Sequence, residues 1–125
     1  MRTKVLVIIP TLNKFPEKTI KSIISQTIKP TRIIIATGSR KVLEECLRRG
    51  FDSVYLRPNL SEHVGIRMTK AMNFALKSLK LEDYDYILKV DDDVVLHPRF
   101  IEASILTGAD CVGGSGRVIS CKYIH

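Results

Sequence analysis

The run Lys4-Val-Leu-Val-Ile-Ile9 constrains the fold more than any other stretch. A strand with one face in water alternates apolar and polar residues, whereas this one is aliphatic at every position after Lys4. Continuous aliphatic character means burial on both faces, as in a central strand of a parallel sheet covered by helices. Pro10 is expected to stop it. Phe15-Pro16-Glu17 opens a helix with Pro in the first turn, and Ile20, Ile23, Ile24 and Ile28 recur at helical spacing until Pro30.

The alternation then repeats. Residues 32–36 form a second strand and Thr37-Gly38-Ser39 a loop. Ser39 caps a helix with Val42, Leu43, Cys46 and Leu47 on one face and Gly50 as its stop. Residues 53–56 read as a third strand, followed by a loop whose last residue, Ser61, is the expected next cap. Val64, Met68, Ala71, Met72, Ala75, Leu76 and Leu79 then form one stripe, the strongest helical period in the chain. The methionines on it read as core filler. After an acidic connection at residues 81–85, residues 86–90 are a fourth strand. His97-Pro98 opens a helix with Phe100, Ile101, Ile105 and Leu106 inward, and residues 110–114 read as a fifth strand. Residues 115–125 show little pattern beyond Val118-Ile119. This order predicts one α/β domain over residues 1–125, a three-layer α/β/α fold around a mostly parallel sheet.

Composition adds exclusions. Hydrophobic residues make up 45% and charged residues 26%, as in ordinary globular chains. No apolar run is long enough to span a membrane, and Arg2 and Lys4 lead straight into a strand rather than a signal peptide. A cytoplasmic location is expected, in solution or at the cytoplasmic face of a membrane. Cys46, Cys111 and Cys121 have neither metal nor redox spacing, and Cys46 and Cys111 read as core. The net charge of +7 is spread along the chain without an aromatic-rich basic stripe, which favours an anionic ligand and argues against nucleic acid.

The chemistry concentrates in Tyr86-Ile-Leu-Lys-Val-Asp-Asp-Asp-Val-Val95, where an apolar strand ends in three carboxylates. Unpaired charges in a dry interior cost several kcal/mol each, so the triplet belongs where the strand meets water. In an extended chain Asp91 and Asp93 share one side and Asp92 faces the other. Hard carboxylate oxygens suit Mg²⁺ or Mn²⁺, which bridge to substrate phosphates. In open α/β sheets ligands bind beyond the carboxyl ends of the strands. The loops there carry Pro10, Thr11, Asn13, Thr37, Gly38 and the triplet, chemistry that suits a nucleoside diphosphate with a divalent cation. Thr11 and Asn13 can equally serve to shape their turn, and Gly38 to make one. Arg67, near a helix N-terminus and off its apolar stripe, can help hold phosphate. His63 and His97 read as surface or capping residues. No P-loop, Gly-x-Gly-x-x-Gly or Gly-x-Ser-x-Gly pattern is present.

These pieces resemble a known family. Val7-Ile-Ile-Pro-Thr-Leu-Asn13 with Ser22-Ile-Ile-Ser-Gln-Thr27 is similar to the opening of family 2 glycosyltransferases of the GT-A fold. Residues 65–73, then Tyr86 to Asp93, resemble that family's middle segment and Asp-x-Asp motif, and Val112-Gly-Gly114 the strand that follows. The resemblance implies a UDP- or GDP-linked sugar donor, Mg²⁺ or Mn²⁺, and inverting transfer to an unidentified acceptor. It places Pro10, Thr11, Asn13, Thr37, Gly38 and Arg67 around the nucleotide. Asp91 and Asp92 would meet the ribose, and Asp91 and Asp93 the metal. The family commonly has an acid at the end of its second strand, where this chain reads Ala36-Thr-Gly-Ser39. Family members are about twice as long, so the chain is expected to lack the acceptor-binding half, which a homo-oligomer or a separate C-terminal half would complete. No residue is assigned as the catalytic base: after Asp93 the acids are Glu102 and Asp110, and neither is placed for it. Two alternatives remain open. One is a GT-A-like domain that binds nucleotide or protein without turnover. The other is a sugar-phosphate nucleotidyltransferase, disfavoured because residues 10–14 contain no glycine.

Overall fold

The computed structural model describes residues 3–108, 111–113 and 119–122. The chain runs β1 (Val5–Thr11), α1 (Glu17–Ile24), β2 (Arg32–Thr37), α2 (Arg40–Arg49), β3 (Asp52–Tyr55), α3 (Val64–Lys77), a 3₁₀ turn (Leu81–Asp83), β4 (Tyr86–Lys89), α4 (Phe100–Leu106), β5 (Cys111–Gly113) and β6 (Ile119–Lys122). The strands form one sheet in the order β3-β2-β1-β4-β6-β5. The first four strands are mutually parallel, and β6 is antiparallel to both β4 and β5. The mostly parallel three-layer architecture is therefore as expected.

All seven residues of β1 are buried. Strand pleating sends alternate side chains to opposite faces. Val5, Val7 and Ile9 meet Ile20 and Ile23 of α1, Val42 and Cys46 of α2, and Ile101 of α4. Leu6 and Ile8 face the other way, toward Ala71 and Ala75 of α3. Each such aliphatic side chain contributes roughly 2 kcal/mol on burial. The two alanines let α3 lie close on the sheet.

The structure corrects several local expectations. β1 does not stop at Pro10 but continues to Thr11, paired to β2 through Pro10↔Ala36 and Thr11↔Thr37. Its pairing with β4 has already ended at Ile8↔Lys89, so a residue without N–H stands where one neighbour is gone. The α1 helix ends at Ile24, which is 47% exposed, and Ile28 packs from the segment beyond it. Leu47 and Leu106 are exposed rather than inward. His63, not Ser61, caps α3, its Nδ1 accepting from Gly65 N at 3.1 Å. Ser61 instead closes a turn with Asn59 Oδ1. Ser39 and the left-handed Gly50 (φ 77°) bound α2 as expected. The strand β6 was not foreseen, although Ile-Ser-Cys-Lys has the two-residue alternation of one. Asp110 and Gly114, expected in the fifth strand, lie outside the described residues, as do the side chains of Cys111 and Cys121. Among the described residues no helix is long and apolar enough to cross a membrane.

One buried polar side chain organises the segment after β4. Gln26, 1% exposed, donates through Nε2 to Ser22 O (3.1 Å) and His97 O (2.7 Å). Its Oε1 accepts from Ile101 N at 3.0 Å, satisfying a donor in the first turn of α4. Gln26→Leu leaves these groups unpaired in the interior. It is expected to cost roughly 2–4 kcal/mol in urea unfolding, with the denaturant slope unchanged.

Candidate functional site

The chain moves outward from β1 in both directions, to β2 and β3 on one side and β4 on the other. The loops after β1 and β4 therefore diverge, which opens a crevice at the carboxyl ends of the strands. A cleft of about 1120 Å³ lies there, between the β1–α1 loop, the start of α3 and the residues after β4. A second, of about 530 Å³, lies between the end of β1, the loop after β3 and α3. Leu12, Asn13 and Met68 border both.

The larger cleft holds the acidic triplet. β4 ends at Lys89, and the aspartates sit in the turn beyond it, closed by Val94 N donating to Asp91 O at 3.3 Å. The extended-strand argument therefore does not describe the triplet, and all three aspartates border the cleft. Asp92 turns inward, its Oδ2 accepting from Leu12 N at 3.3 Å while its carbonyl accepts from Thr19 Oγ1 at 3.0 Å. Asp91 borders the cleft with Oδ1 3.2 Å from Lys89 Nζ, and Asp93 is exposed. Lys89 was missed as a site residue, although a lone charge inside the apolar strand Tyr-Ile-Leu-Lys-Val was the visible signal. It supplies a positive charge among three carboxylates, which by themselves repel.

No three His, Cys, Asp or Glu side chains converge into a self-contained metal site among the described residues. The pair Asp91 and Asp93 instead suits a cation that completes its shell from phosphates and water, as Mg²⁺ commonly does. The Lys89 ammonium, 3.2 Å from Asp91 Oδ1, would compete with such a cation for Asp91.

The smaller cleft is rich in donors. It is bordered by Thr11, Gly38, Arg57, Asn59 and Arg67. Thr11 is 2% exposed, yet its Oγ1 has no hydrogen-bond partner among the described residues; the same is true of the buried Arg67 Nε. Buried polar atoms in native structures are nearly always paired, and an orphan costs about 1–3 kcal/mol. Two orphans at one cleft are unmet hydrogen bonds that a ligand there would satisfy. Gly38 has a packing reason as well: a Cβ there would meet Leu56 O at 3.2 Å and Pro58 Cβ at 3.3 Å. Thr37 borders neither cleft. It is fully buried, and its Oγ1 accepts from Ser39 N at 3.0 Å, so it shapes the turn. Pro10 and Asn13 border the larger cleft. Met68 and Met72 line it too, with Met72 also packed on the α3 core, so they are not pure filler.

The sequence matches no protein-family model and no curated protein. The fold does recur among solved structures. S. aureus TarS superposes on 92% of this chain and 23% of its own, with TM-score 0.63 and 20% identity. Residues 1–349 of TarS in complex with UDP superpose on 92% of this chain and 37% of that one, at TM-score 0.62 and 20% identity. CMP:2-keto-3-deoxy-manno-octonic acid synthetase complexed with CTP covers 85% of this chain and 47% of its own, at TM-score 0.62 and 14% identity. The fold is therefore of the GT-A type, as the resemblance in the sequence implied. The chain spans between about a quarter and a half of the length of these solved chains.

Burial raises the Asp92 carboxyl above its ordinary value; the Leu12 N–H opposes this, while the charges of Asp93 and Asp91 reinforce it. The folded chain thus holds a proton at Asp92 more tightly than the unfolded chain. That contribution to stability is present in acid and is lost as pH rises through the folded-state value. Asp92→Asn keeps an acceptor for Leu12 N–H and removes the titration. Thermal melts across pH should show the variant gaining on wild type toward neutral pH, the difference shrinking in acid.

Proposed function

We propose that these clefts form the donor site of an inverting, metal-dependent glycosyltransferase, which moves a sugar from a nucleoside-diphosphate sugar to an acceptor hydroxyl. The observation that carries this reading is the junction at Leu12, Asn13 and Met68. There a cleft with two orphaned polar atoms meets a cleft bordered by carboxylates, both at the carboxyl ends of parallel strands. A nucleoside diphosphate needs both chemistries side by side. The UDP bound to TarS, in a protein of the same fold, supports it.

In this reading Thr11, Asn13, Gly38 and Arg67 hold the nucleoside, and the diphosphate lies toward Asp91 and Asp93. The amino end of α3, capped by His63 and without acids in its first turn, favours the negative charge. Asp92 holds the β1–α1 loop against the triplet through Leu12 N. Mg²⁺ or Mn²⁺, held by Asp93 and Asp91, would supply positive charge to the departing diphosphate. Lys89, released from Asp91, adds charge from the protein itself. Transfer further requires a general base to take the acceptor proton.

The likeness to the CTP-bound synthetase favours a second reading, a nucleotidyltransferase, to nearly the same extent in fold. Pyrophosphate release from a nucleoside triphosphate and a sugar phosphate identifies that activity; release of nucleoside diphosphate from a sugar conjugate identifies the first.

Calorimetric titration of nucleoside diphosphates with and without Mn²⁺ tests the donor site. Asp91→Asn and Asp93→Asn are each expected to weaken the metal-dependent binding about tenfold, a change of roughly 1.4 kcal/mol. Unchanged affinity in Asp93→Asn rules out its metal role.

A further inference from the structure

The smaller cleft carries information about which base it accepts, given the donor-site reading above. Among the described residues its cationic donors, Arg57, Arg67 and Lys70, outnumber its neutral side-chain acceptors, the Asn13 amide oxygen and the Thr11 hydroxyl. Glu62 is the carboxylate among its described lining residues, and its Oε2 is 2.7 Å from Lys70 Nζ. Asn59 uses Oδ1 to accept from Ser61 N at 3.1 Å and Ser61 Oγ at 2.7 Å, so its amide has N–H groups left to offer. Arg57 and Arg67 add two guanidinium groups. Arg67 Nε is buried and unpartnered, and its side chain makes no ion pair among the described residues. The Thr11 hydroxyl, 2% exposed and without a partner among the described residues, can donate or accept.

We infer that this cleft selects a base presenting two adjacent hydrogen-bond acceptors, and that Arg67 reads them. A guanidinium is a rigid planar fork, always charged, that pairs bidentately with two neighbouring acceptors. Cytosine offers such a pair at O2 and N3, and guanine at O6 and N7, the pair arginine reads in duplex DNA. Uracil interrupts its carbonyls with the N3–H donor, so it offers the Arg67 fork no adjacent pair and sets a donor against a donor there. Adenine has no two adjacent acceptors: its N6 amino group stands beside N1 and N7, and N3 stands alone. A buried donor facing a donor loses its bond to water and gains none.

The experiment is calorimetric titration of the wild-type chain with CDP, GDP, UDP and ADP, each with Mn²⁺, repeated with Arg67→Lys after circular dichroism shows it folded. CDP or GDP is expected to bind at least about tenfold more tightly than UDP and ADP, and the two separate arms reveal which base is taken. Arg67→Lys keeps the charge and loses the fork, so the ratio should fall to about threefold or less. UDP binding as tightly as CDP and GDP overturns the inference while leaving the donor site standing. Retention of the full ratio by Arg67→Lys overturns the role of Arg67. No binding of any of the four overturns the inference together with the donor-site reading.

Discussion

The structure depends on β1, which is paired along both edges and buried on both faces. Because neither face nor edge meets water, every position takes an aliphatic residue until the carboxyl end. Its pleat divides the core into two layers, with α1, α2 and α4 on one side and α3 on the other. Its central place also makes the chain reverse direction across the sheet. That reversal separates the loops after β1 and β4, and the larger cleft occupies the gap.

An irregular segment beside a core needs partners for its backbone. The stretch between β4 and α4 finds them on α1 and the residues just after it. Thr19 Oγ1 bonds Asp92 O, Ser22 Oγ accepts from Leu96 N, and Gln26 bridges His97 and Ile101. These polar groups do what apolar packing cannot: they fix the path of a non-helical, non-strand backbone and so set where the three aspartates stand. Their environments then diverge, with Asp92 bonded inward, Asp91 beside Lys89 and Asp93 exposed.

Charge is distributed unevenly between the clefts. The larger one combines the triplet with Lys89, Lys14 and Lys18, so opposed charges lie within reach of a ligand that needs both. Among the described residues of the smaller one, the Glu62 carboxylate is tied to Lys70 and the Arg57 and Arg67 guanidinium groups make no ion pair. A ligand with an acceptor-rich base at one end and a phosphate–cation group at the other would be complementary to both.

Much of this was legible in the chain. Continuous aliphatic character at residues 5–9, the stripe on α3 and the sudden acids after Val90 determined a mostly parallel α/β sheet with a polar cleft at its strand ends, because burial on both faces and uncompensated charge leave few other solutions. Ser39 and Gly50 likewise marked their helix ends through local bonding. Tertiary structure alone decided which residues share a cleft. Arg67 and Thr11 are far apart in sequence and become neighbours of one cavity when α3 lies on β1 and β2. Gln26 looked like any polar residue after a helix until α4 presented its N–H. The isoleucines were ambiguous for the same reason: Ile24 and Ile28 fit a helical period, but only the turn at Ser25 put one in water and the other against the core. Local pattern reports what a segment can bury; which distant segment buries it is a property of the assembled sheet.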